Sequence, residues 1–345
     1  MPDLPEPLRD TFGRALRNLR LSVTDRCNLR CQYCMPEKDY TWLPRKDRLS
    51  LEELAAIVQA LVPLGLRQVR LTGGEPLLRR GLENLVQLLG EVQGLEDLAL
   101  TTNGVLLEDQ AQALFDAGLR RLTVSLDTLQ PKRFLDSTRQ DLLPRVLSGL
   151  ERARSIGFQP IKLNCVLMRR GNDGELEGLL EFALERGFEL RFIEYMDVGG
   201  AQNWRSELVV PRDEILRRIE ARFGAFEPVE TPEYVPARRW RLAQGGTFGI
   251  VASTTAPFCS ACNRARITAD GHLYTCLYGN EGLDLRGIMR GGDGVAGVVR
   301  AIQDRWRVRA DRGAEIRLAE SNRSALYPLE DLKQNPHLEM HTKGG

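Results

Sequence analysis

The sequence predicts an α/β protein: an incomplete, three-quarter TIM-like barrel of six βα units, followed by a β-containing C-terminal extension. Two observations lead to this fold class. Six short apolar runs alternate with segments whose apolar residues recur every three or four positions. Glycines also stand where helices should end before the next strand, at Gly65, Gly118, Gly157 and Gly187. Alternating strands and helices form a parallel sheet with right-handed crossovers. Six units are two fewer than a closed barrel has, so an open three-quarter barrel and a doubly wound sheet both fit this pattern.

The elements of this barrel follow in order along the chain. The predicted strands are Leu19–Thr24, Gln68–Thr72, Asp97–Thr102, Leu122–Asp127, Ile161–Met168 and Leu190–Tyr195. The predicted helices are Ser50–Leu64, Gly81–Val92, Glu108–Ala117, Leu143–Ile156 and Glu175–Arg186. Ser50 is predicted to cap the first of these helices, because Glu53 three residues later completes a capping box.

The alternation stops after Gly199. The region beyond it predicts a helix at Val210–Phe223, turns over 227–246, short strands at Thr247–Ala252, Ala265–Thr268 and His272–Cys276, and helices within 284–320. Asp270-Gly271 predicts a hairpin turn between the last two strands. The last ten residues are predicted to be unanchored. We therefore divide the chain into residues 1–200, the partial barrel, and 201–345, the C-terminal region.

Composition excludes several classes of protein. The 345 residues contain 48 Lys and Arg against 47 Asp and Glu, so no overall basic field favours nucleic acid. No apolar run reaches the roughly 18 residues of a membrane-spanning helix, and the first twenty residues lack the apolar stretch of a secretory signal. The sequence predicts a cytoplasmic protein that binds neither nucleic acid nor membrane.

Seven cysteines give the first indication of chemistry. Six of them form two triads, Cys27, Cys31 and Cys34, and Cys259, Cys262 and Cys276, while Cys165 stands alone and reads as a small core residue. Reduced, clustered cysteines in a cytosolic protein indicate a metal site or catalysis. A structural zinc site needs four ligands, so each triad is one short. His272 as a fourth zinc ligand, or one site shared by both triads, remains open at this point.

A second motif, Thr72-Gly-Gly-Glu-Pro76, follows the second predicted strand. Its glycines allow the backbone to approach a ligand closely, although a tight βα turn explains them equally well. In a parallel barrel, the loops at the carboxyl ends of the strands build the active site. Both this motif and the first triad are predicted to lie at that end.

The C-x3-C-x2-C triad, with Tyr33 before its last cysteine, and the GGEP stretch resemble the radical S-adenosylmethionine enzymes. Longer strings resemble one of their families, the GTP 3′,8-cyclases of molybdenum cofactor biosynthesis, over nearly the whole chain. These strings are LSVTDRCN from Leu21, LTGGEPL from Leu71, TTNG from Thr101, SLD from Ser125, RFIEYM from Arg191 and FCSACNRAR from Phe258.

The resemblance implies a lyase with two 4Fe–4S clusters and S-adenosylmethionine as cofactors. A 5′-deoxyadenosyl radical would take the 3′ hydrogen of GTP, and the ribose radical would attack C8 of guanine to give 3′,8-cyclo-7,8-dihydroguanosine 5′-triphosphate. No protein acid or base is predicted, because the radical is generated at the first cluster. The implied partners are GTP, a one-electron donor of the flavodoxin or ferredoxin type, cyclic pyranopterin monophosphate synthase downstream, and a second copy in a homodimer.

The resemblance also assigns roles to residues. Cys27, Cys31 and Cys34 would hold the first cluster, and Cys259, Cys262 and Cys276 the second, with one iron of each open to a ligand. S-adenosylmethionine would contact Tyr33, Gly74, Ser125 and Met196. GTP would contact Arg20, Arg70, Thr101, Lys162, Arg264 and Arg266. The C-terminal Gly344 and Gly345 would reach into the active site.

Elementary chemistry bears on several of these assignments. A triphosphate needs fixed cations, for which arginine is well suited, and Arg191 is a further candidate for the pocket. Lys162 lies inside the fifth predicted strand, where a buried lysine needs an anion such as phosphate, although its side chain could instead extend to the surface. Thr101 and Thr102 differ by one position, and ungapped spacing favours Thr101. The alternatives to the cyclase are a radical peptide maturase with an auxiliary cluster and a non-catalytic metal-containing sensor that binds nucleic acid.

Overall fold

The computed structural model describes residues 6–344. Six parallel strands alternate with helices in its first half, and each begins and ends within two residues of its predicted bounds. They are β1 (Asn18–Ser22), β2 (Gln68–Thr72), β3 (Asp97–Thr102), β4 (Arg121–Ser125), β5 (Ile161–Leu167) and β6 (Glu189–Glu194). Side chains alternate between the two faces of each strand, and β5 shows this as strictly alternating buried and half-buried residues.

Helices connect these strands and bury their apolar faces in the common core. They are α1 (Leu51–Leu61), α2 (Leu82–Gly90), α3 (Leu107–Asp116), α4 (Pro131–Thr138), α5 (Leu143–Ile156), α6 (Leu176–Glu185) and α7 (Arg212–Phe223). The predicted capping box of α1 is confirmed, since Glu53 N donates to Ser50 Oγ at 3.1 Å and Ser50 N to Glu53 Oε2 at 2.7 Å. Helix α4 was not predicted, because its eight residues bury little beyond Phe134 and contain too few apolar side chains to show a repeat.

The second half of the chain adds six more strands. They are β7 (Phe226–Val229), β8 (Arg238–Leu242), β9 (Thr247–Val251), β10 (Arg264–Ile267), β11 (His272–Tyr274) and β12 (Leu283–Asp284). The prediction of turns over 227–246 is wrong where β7 and β8 pair antiparallel. Strand β8 is mostly arginine, but its Trp240 stacks on Phe248 with ring centroids 5.6 Å apart, and this contact replaces the missing apolar pattern. The predicted Asp270-Gly271 hairpin joins β10 and β11.

All twelve strands of residues 6–344 form one sheet, in the order β12-β11-β10-β1-β2-β3-β4-β5-β6-β9-β8-β7. Strand β10 pairs parallel to β1, and β9 pairs parallel to β6. Eight neighbouring strands are therefore parallel, and the sheet stays open because antiparallel strands continue it at both sides. The incomplete barrel is confirmed, but β9 and β10 belong to its sheet rather than to a separate β region. Pairing between strands so distant in sequence leaves no local signal.

Four further helices complete the fold: α8 (Leu285–Ile288), α9 (Gly294–Arg307), α10 (Gly313–Leu318) and α11 (Leu329–Gln334). Helix α9 packs on α1 and buries Trp306, whose Nε1 donates to the carbonyl of Arg14 at 3.1 Å. Cys165 lies in the apolar core with no exposed surface, as predicted. Within residues 6–344, none of the helices has both the length and the apolar character needed to span a bilayer.

Candidate active site

A cavity of about 310 Å³ lies at the carboxyl ends of the parallel strands. Its wall is formed by the loops after β1, β2, β3 and β6, by the end of β4, by the start of β10 and by the C-terminal segment. All six clustered cysteines line it, together with most of the other predicted site residues: Arg20, Tyr33, Gly74, Thr101, Ser125, Met196, Arg264, Arg266 and Gly344. The fold thus brings two triads more than 220 residues apart in sequence to one chamber.

The first triad lies in the loop after β1. A tight turn holds its last two members together, with Cys34 N donating to Cys31 O at 3.0 Å. Burial raises the pKa of the Cys27 thiol to about 11 and also raises those of Cys31 and Cys34. Burial therefore disfavours the thiolates until a cation joins them. Iron clusters provide such a partner for three thiolates.

Sulfur spacing argues against a zinc ion in either triad. Among the described residues, neither triad brings its three sulfur atoms within 4.8 Å of one another. Thiolates around a single zinc ion stand about 3.8 Å apart, given zinc–sulfur bonds of about 2.3 Å. The wider spacing fits a multi-iron cluster, which holds its ligands farther apart. The donor set and its dimensions thus suit the 4Fe–4S groups that the resemblance implies.

The GGEP turn packs against the loop that carries the first triad. A Cβ atom at Gly74 would stand 2.4 Å from the carbonyl oxygen of Arg26, so only glycine fits there. The amide of the next residue, Glu75, donates to the same carbonyl at 2.7 Å. The glycines therefore let this turn pack closely on the loop after β1. This packing places the Gly74 backbone on the cavity wall.

The buried carboxylate of Glu75 and the half-buried carboxylate of Asp127 brace this side of the cavity. Glu75 accepts hydrogen bonds from Thr102 Oγ1 and Asn103 N, each at 2.7 Å, and burial raises its pKa to about 7. Asp127 accepts from Tyr33 Oη at 2.9 Å, and burial raises its pKa to about 6. These bonds tie the loops after β2, β3 and β4 to the first triad.

The second triad spans the hairpin of β10 and β11. Cys259 and Cys262 flank a single 3-10 turn before β10, and Cys276 follows β11. Burial opposes ionisation of Cys262, but Arg264 and Arg309 outweigh it and lower its pKa to about 7. Burial raises the pKa of Cys259 and Cys276. This triad is therefore more electropositive than the first.

Arginines of three neighbouring strands lie side by side at this end of the sheet. Arg20 of β1 lies in register with Arg70 of β2 on one side and with Arg266 of β10 on the other. Arg264 lies two residues before Arg266, on the same face of β10. Burial and the charges of the other three lower the pKa of Arg20. Concentrated, desolvated positive charge of this kind favours an anionic ligand.

Two predicted GTP contacts stand apart from this group. Of the residues described, those that line the cavity do not include Arg70 or Lys162. Arg70 donates to Thr123 Oγ1 at 3.0 Å, and Lys162 lies 3.7 Å from the carboxylate of Glu189. Glu189 provides the anion that a buried lysine needs, so the burial of Lys162 does not itself require a phosphate. Arg191, also bonded to Glu189, does line the cavity.

The C-terminal segment enters the cavity, so the prediction that the last ten residues are unanchored is wrong for 336–344. The carbonyl of Gly344 accepts from Arg20 Nη1 at 2.8 Å, and that of Lys343 accepts from Arg266 Nη1 at 2.9 Å. Lys343 is fully buried, and its Nζ donates to Gly279 O at 2.6 Å. These partners are remote in sequence, which is why the segment shows no local pattern. Gly345 lies outside the described residues.

Some residues of the site were not singled out in the sequence. Asn103 Nδ2 lies 3.8 Å from Cys27 Sγ, and Asp127 holds Tyr33. Both stand within strings that carried the resemblance, TTNG and SLD, so that signal was present. Thr102 is buried and its hydroxyl serves Glu75, which leaves Thr101 as the less engaged threonine of the pair. Tyr278 and His341 also line the cavity and belong to no motif used above, whereas Phe258 opens the FCSACNRAR string.

Two protein families match this chain. Residues 21–183 match the Radical SAM superfamily, and residues 188–315 match the Molybdenum Cofactor Synthesis C family. The first match contains the first triad and five of the six barrel strands, apart from the opening of β1. The second match contains the second triad and the two arginines of β10.

Curated relatives match over almost their full length. GTP 3′,8-cyclase 1 of Mycobacterium tuberculosis is 48% identical, with 100% of this chain and 99% of that protein covered. GTP 3′,8-cyclase 3 of Mycobacterium bovis is also 48% identical and covers 98% of this chain and 91% of its own length. GTP 3′,8-cyclase of Acidothermus cellulolyticus is 47% identical, covering 93% of this chain and 91% of its own length.

A solved structure shares the fold. Streptococcus suis SuiB bound to S-adenosylmethionine aligns with a TM-score of 0.60 at 14% identity, covering 89% of this chain and 69% of that protein. Identity that low supports the fold alone. The cyclases, in contrast, are nearly one-half identical to this chain over almost its whole length. The aligned range includes both cysteine triads. This chain belongs to the GTP 3′,8-cyclase family of the radical S-adenosylmethionine enzymes.

Proposed function

We propose that this chain converts GTP into 3′,8-cyclo-7,8-dihydroguanosine 5′-triphosphate, the first step of molybdenum cofactor biosynthesis. The observation that carries the proposal is that two cysteine triads and a set of buried arginines share one cavity. A radical generator, a second metal centre and a triphosphate site are thereby within reach of one nucleotide. Two 4Fe–4S clusters and S-adenosylmethionine are the cofactors.

Cys27, Cys31 and Cys34 would hold the first cluster, with one iron left for S-adenosylmethionine. When bound and reduced, that cluster would supply the one-electron cleavage of the sulfonium of S-adenosylmethionine on which hydrogen abstraction from C3′ of GTP depends. Tyr33, Gly74, Ser125 and Met196 would contact S-adenosylmethionine. Their positions in the loops after β1, β2 and β6 and at the last residue of β4 support this assignment, because these parts of the fold surround the first triad.

The chain itself positions and shields the reactants. Asp127 fixes the phenol of Tyr33, and Glu75 fixes the loop of Asn103 beside Cys27. Buried surroundings exclude water from the radical, which protects it from quenching. The cofactor performs the difficult chemistry, and the protein supplies orientation and electrostatics.

Cys259, Cys262 and Cys276 would hold the second cluster, which would supply an iron to bind the guanine of GTP. Arg20, Arg264 and Arg266 would bind the triphosphate, since all three line the cavity and guanidinium groups bind phosphate oxygens in pairs. Thr101 would add a hydroxyl contact from β3. We retain Arg70 and Lys162 as proposed GTP contacts. To reach the nucleotide, Arg70 would have to leave Thr123 and Lys162 would have to leave Glu189.

The double-glycine tail would complete the nucleotide site. A Cβ atom at Gly344 would stand 2.2 Å from Thr72 Oγ1, and the residue has a positive φ of 72°, so only glycine fits. Beyond the cavity, we propose a flavodoxin or ferredoxin as the electron donor, cyclic pyranopterin monophosphate synthase as the consumer of the product, a homodimer, and a cytoplasmic location. The division of the chain at residue 200 also stays a prediction.

An anaerobic assay on reconstituted protein tests this function. Iron and sulfide are counted first, and about eight irons are expected for two four-iron clusters. Dithionite, S-adenosylmethionine and either GTP or ATP are then added, and 5′-deoxyadenosine is measured. We expect its formation to depend on GTP and to carry deuterium from GTP labelled at C3′. Cleavage that ignores the nucleotide would retain the radical enzyme, as in a peptide maturase, but reject the cyclase.

A further inference from the structure

A cluster of Asp270, His272 and His337 lies outside the cavity. Asp270 lies in the turn of the β10–β11 hairpin, and His272 is the first residue of β11. His337 lies in a 3-10 turn at Pro336–Leu338. Candidate ligand atoms of the three side chains all lie within 4.8 Å of one another. Two of the three histidines in the sequence thus meet one carboxylate, although 65 residues separate them in the chain.

The hydrogen bonds leave one carboxylate oxygen facing both rings. Asp270 Oδ1 accepts from Thr268 Oγ1 at 2.5 Å. Oδ2 lies 2.6 Å from His337 Nε2 and 3.3 Å from His272 Nδ1. The last pair lacks hydrogen-bond geometry, and His272 Nδ1 is buried without any hydrogen-bond partner. A buried ring nitrogen in this condition is short of one ligand.

The dimensions are those of a transition-metal site. Ligand atoms at the corners of a tetrahedron stand about 3.3 Å apart when bonds to zinc are about 2.05 Å, which equals the separation of His272 Nδ1 and Asp270 Oδ2. His337 Nε2 is closer because it shares a proton with Asp270, and an ion would displace that proton. Two imidazoles and a carboxylate suit zinc rather than magnesium or calcium, which prefer oxygen ligands.

Charge and access are also favourable. The two imidazole rings stand 4.4 Å apart, so a second proton on the pair would place like charges in contact. Asp284 faces His272 across the β11–β12 ladder and adds negative charge, while Arg286 opposes it but is bonded to the backbone of Asp47. The side chains of His272 and His337 are 21% and 24% exposed. Both rings therefore keep part of their surface in contact with solvent.

We propose that Asp270, His272 and His337 bind a divalent ion of the zinc class that fastens the C-terminal segment to the β10–β11 hairpin. His337 precedes Gly344 by seven residues, and the carbonyl of Gly344 rests on Arg20. The ion therefore fixes the base of the segment whose end enters the active site. This site is distinct from both cysteine triads and goes beyond the proposed function.

Zinc binding to the protein with both iron clusters loaded tests the proposal. Zinc chloride is added anaerobically, excess is removed, and bound zinc is counted by mass spectrometry. We expect one zinc per chain, lost in His272→Gln and His337→Gln and kept in the control Lys333→Ala, which changes an exposed lysine of α11. Unchanged iron content in each variant verifies that it has folded. Absence of bound zinc, or equal binding by all three variants, overturns the proposal.

Two further measurements separate this site from the cysteines and from a simple hydrogen bond. Zinc-edge X-ray absorption should show only nitrogen and oxygen neighbours at about 2.0 Å, whereas sulfur at about 2.3 Å would place the ion on a triad and reject the site. Zinc at ten times its dissociation constant should slow amide exchange over residues 336–344 about tenfold, and not in His337→Gln. If zinc leaves the exchange rate of residues 336–344 unchanged, the cluster serves only as a hydrogen bond between Asp270 and His337, and the proposal is rejected.

Discussion

Arg266 is the residue whose guanidinium touches both the tail and the space left for phosphate. We expect Arg266→Lys to raise KM for GTP about tenfold, because a lysine keeps the charge but loses one charge-assisted hydrogen bond, worth about 1.5–3 kcal/mol. GTP-dependent 5′-deoxyadenosine formation measures the effect. Arg218→Lys, which alters a surface pair with Glu177, is the control. An unchanged KM in Arg266→Lys would remove this arginine from the triphosphate site.

Lys343 anchors the tail by a contact that few lysines make. Its ammonium donates to Gly279 O and lies 4.8 Å from the ring centre of Tyr274. We expect Lys343→Ala to release the tail and lower kcat/KM for GTP at least tenfold, because a buried carbonyl without its donor loses about 1–3 kcal/mol. Carboxypeptidase digestion and turnover measure the two effects.

The control for Lys343 is Lys333→Ala, which changes an exposed lysine on α11. This variant should keep both the protease resistance and the turnover of the parent. If Lys343→Ala digests no faster than Lys333→Ala, the contact with Gly279 does not hold the tail.

Residue identity alone predicted the cysteines but not the side chains that brace them. The triads stand out because cysteine is rare and their spacing is short. Asn103 and Asp127 act through partly buried hydrogen bonds to partners 75 and 94 residues away. Asparagine and aspartate are frequent in loops, so composition gives such partners no distinctive signal. The ion pair of Lys162 with Glu189 was missed because its two members lie on different strands, β5 and β6, and neither marks the other in the sequence.

At the scale of elements, Asp197 joins three segments. It lies after β6 beside Met196, and its carboxylate accepts from Arg317 Nε at 2.7 Å, Arg323 Nη2 at 2.8 Å and Tyr278 Oη at 3.1 Å. The loop after β6, the loop after Cys276 and the segment after α9 are thus held by one buried group. We expect Asp197→Asn to lower the free energy of unfolding by about 3–5 kcal/mol, because two arginines lose their buried partner.

Urea unfolding measures this effect, and its pH dependence has a defined sign. Burial raises the pKa of Asp197, but the bonds from Arg323 and Arg317 outweigh it and hold the pKa below the ordinary 3.8. A depressed carboxyl pKa stabilises the fold above 3.8 and loses this contribution as the pH falls below it. The difference between parent and Asp197→Asn should therefore be constant near neutrality and shrink below pH 3.8. Asp213→Asn, at an exposed surface pair, should show neither effect.

Local periodicity was sufficient for the elements of the barrel but not for their neighbours. Each of the strands β1 to β6 either follows a helix-ending glycine or is itself a clear apolar run. Their bounds were therefore predictable to within two residues. The parallel pairing of β10 with β1 joins residues about 245 positions apart. Whether a short strand extends the main sheet or forms its own depends on that remote pairing, which the sequence does not display.

At the scale of the whole molecule, the two metal centres should be separable in function. We expect Cys276→Ala, reconstituted anaerobically, to hold about four irons instead of about eight. Its first triad is intact, so S-adenosylmethionine cleavage should continue but no longer depend on GTP. Iron analysis and 5′-deoxyadenosine with and without GTP measure this outcome, and Cys165→Ala is the matched cysteine control. Retained dependence on GTP would show that the second triad does not contact the substrate.

The outermost strands of the open sheet restrict how two copies can meet. Strand β12 has only two residues, and β7 carries Pro228, which lacks an amide hydrogen. Short edges and edge prolines discourage hydrogen bonding to another chain. A homodimer of this enzyme should therefore associate through side chains of its helices and loops. We expect no β-sheet that continues from one subunit into the other.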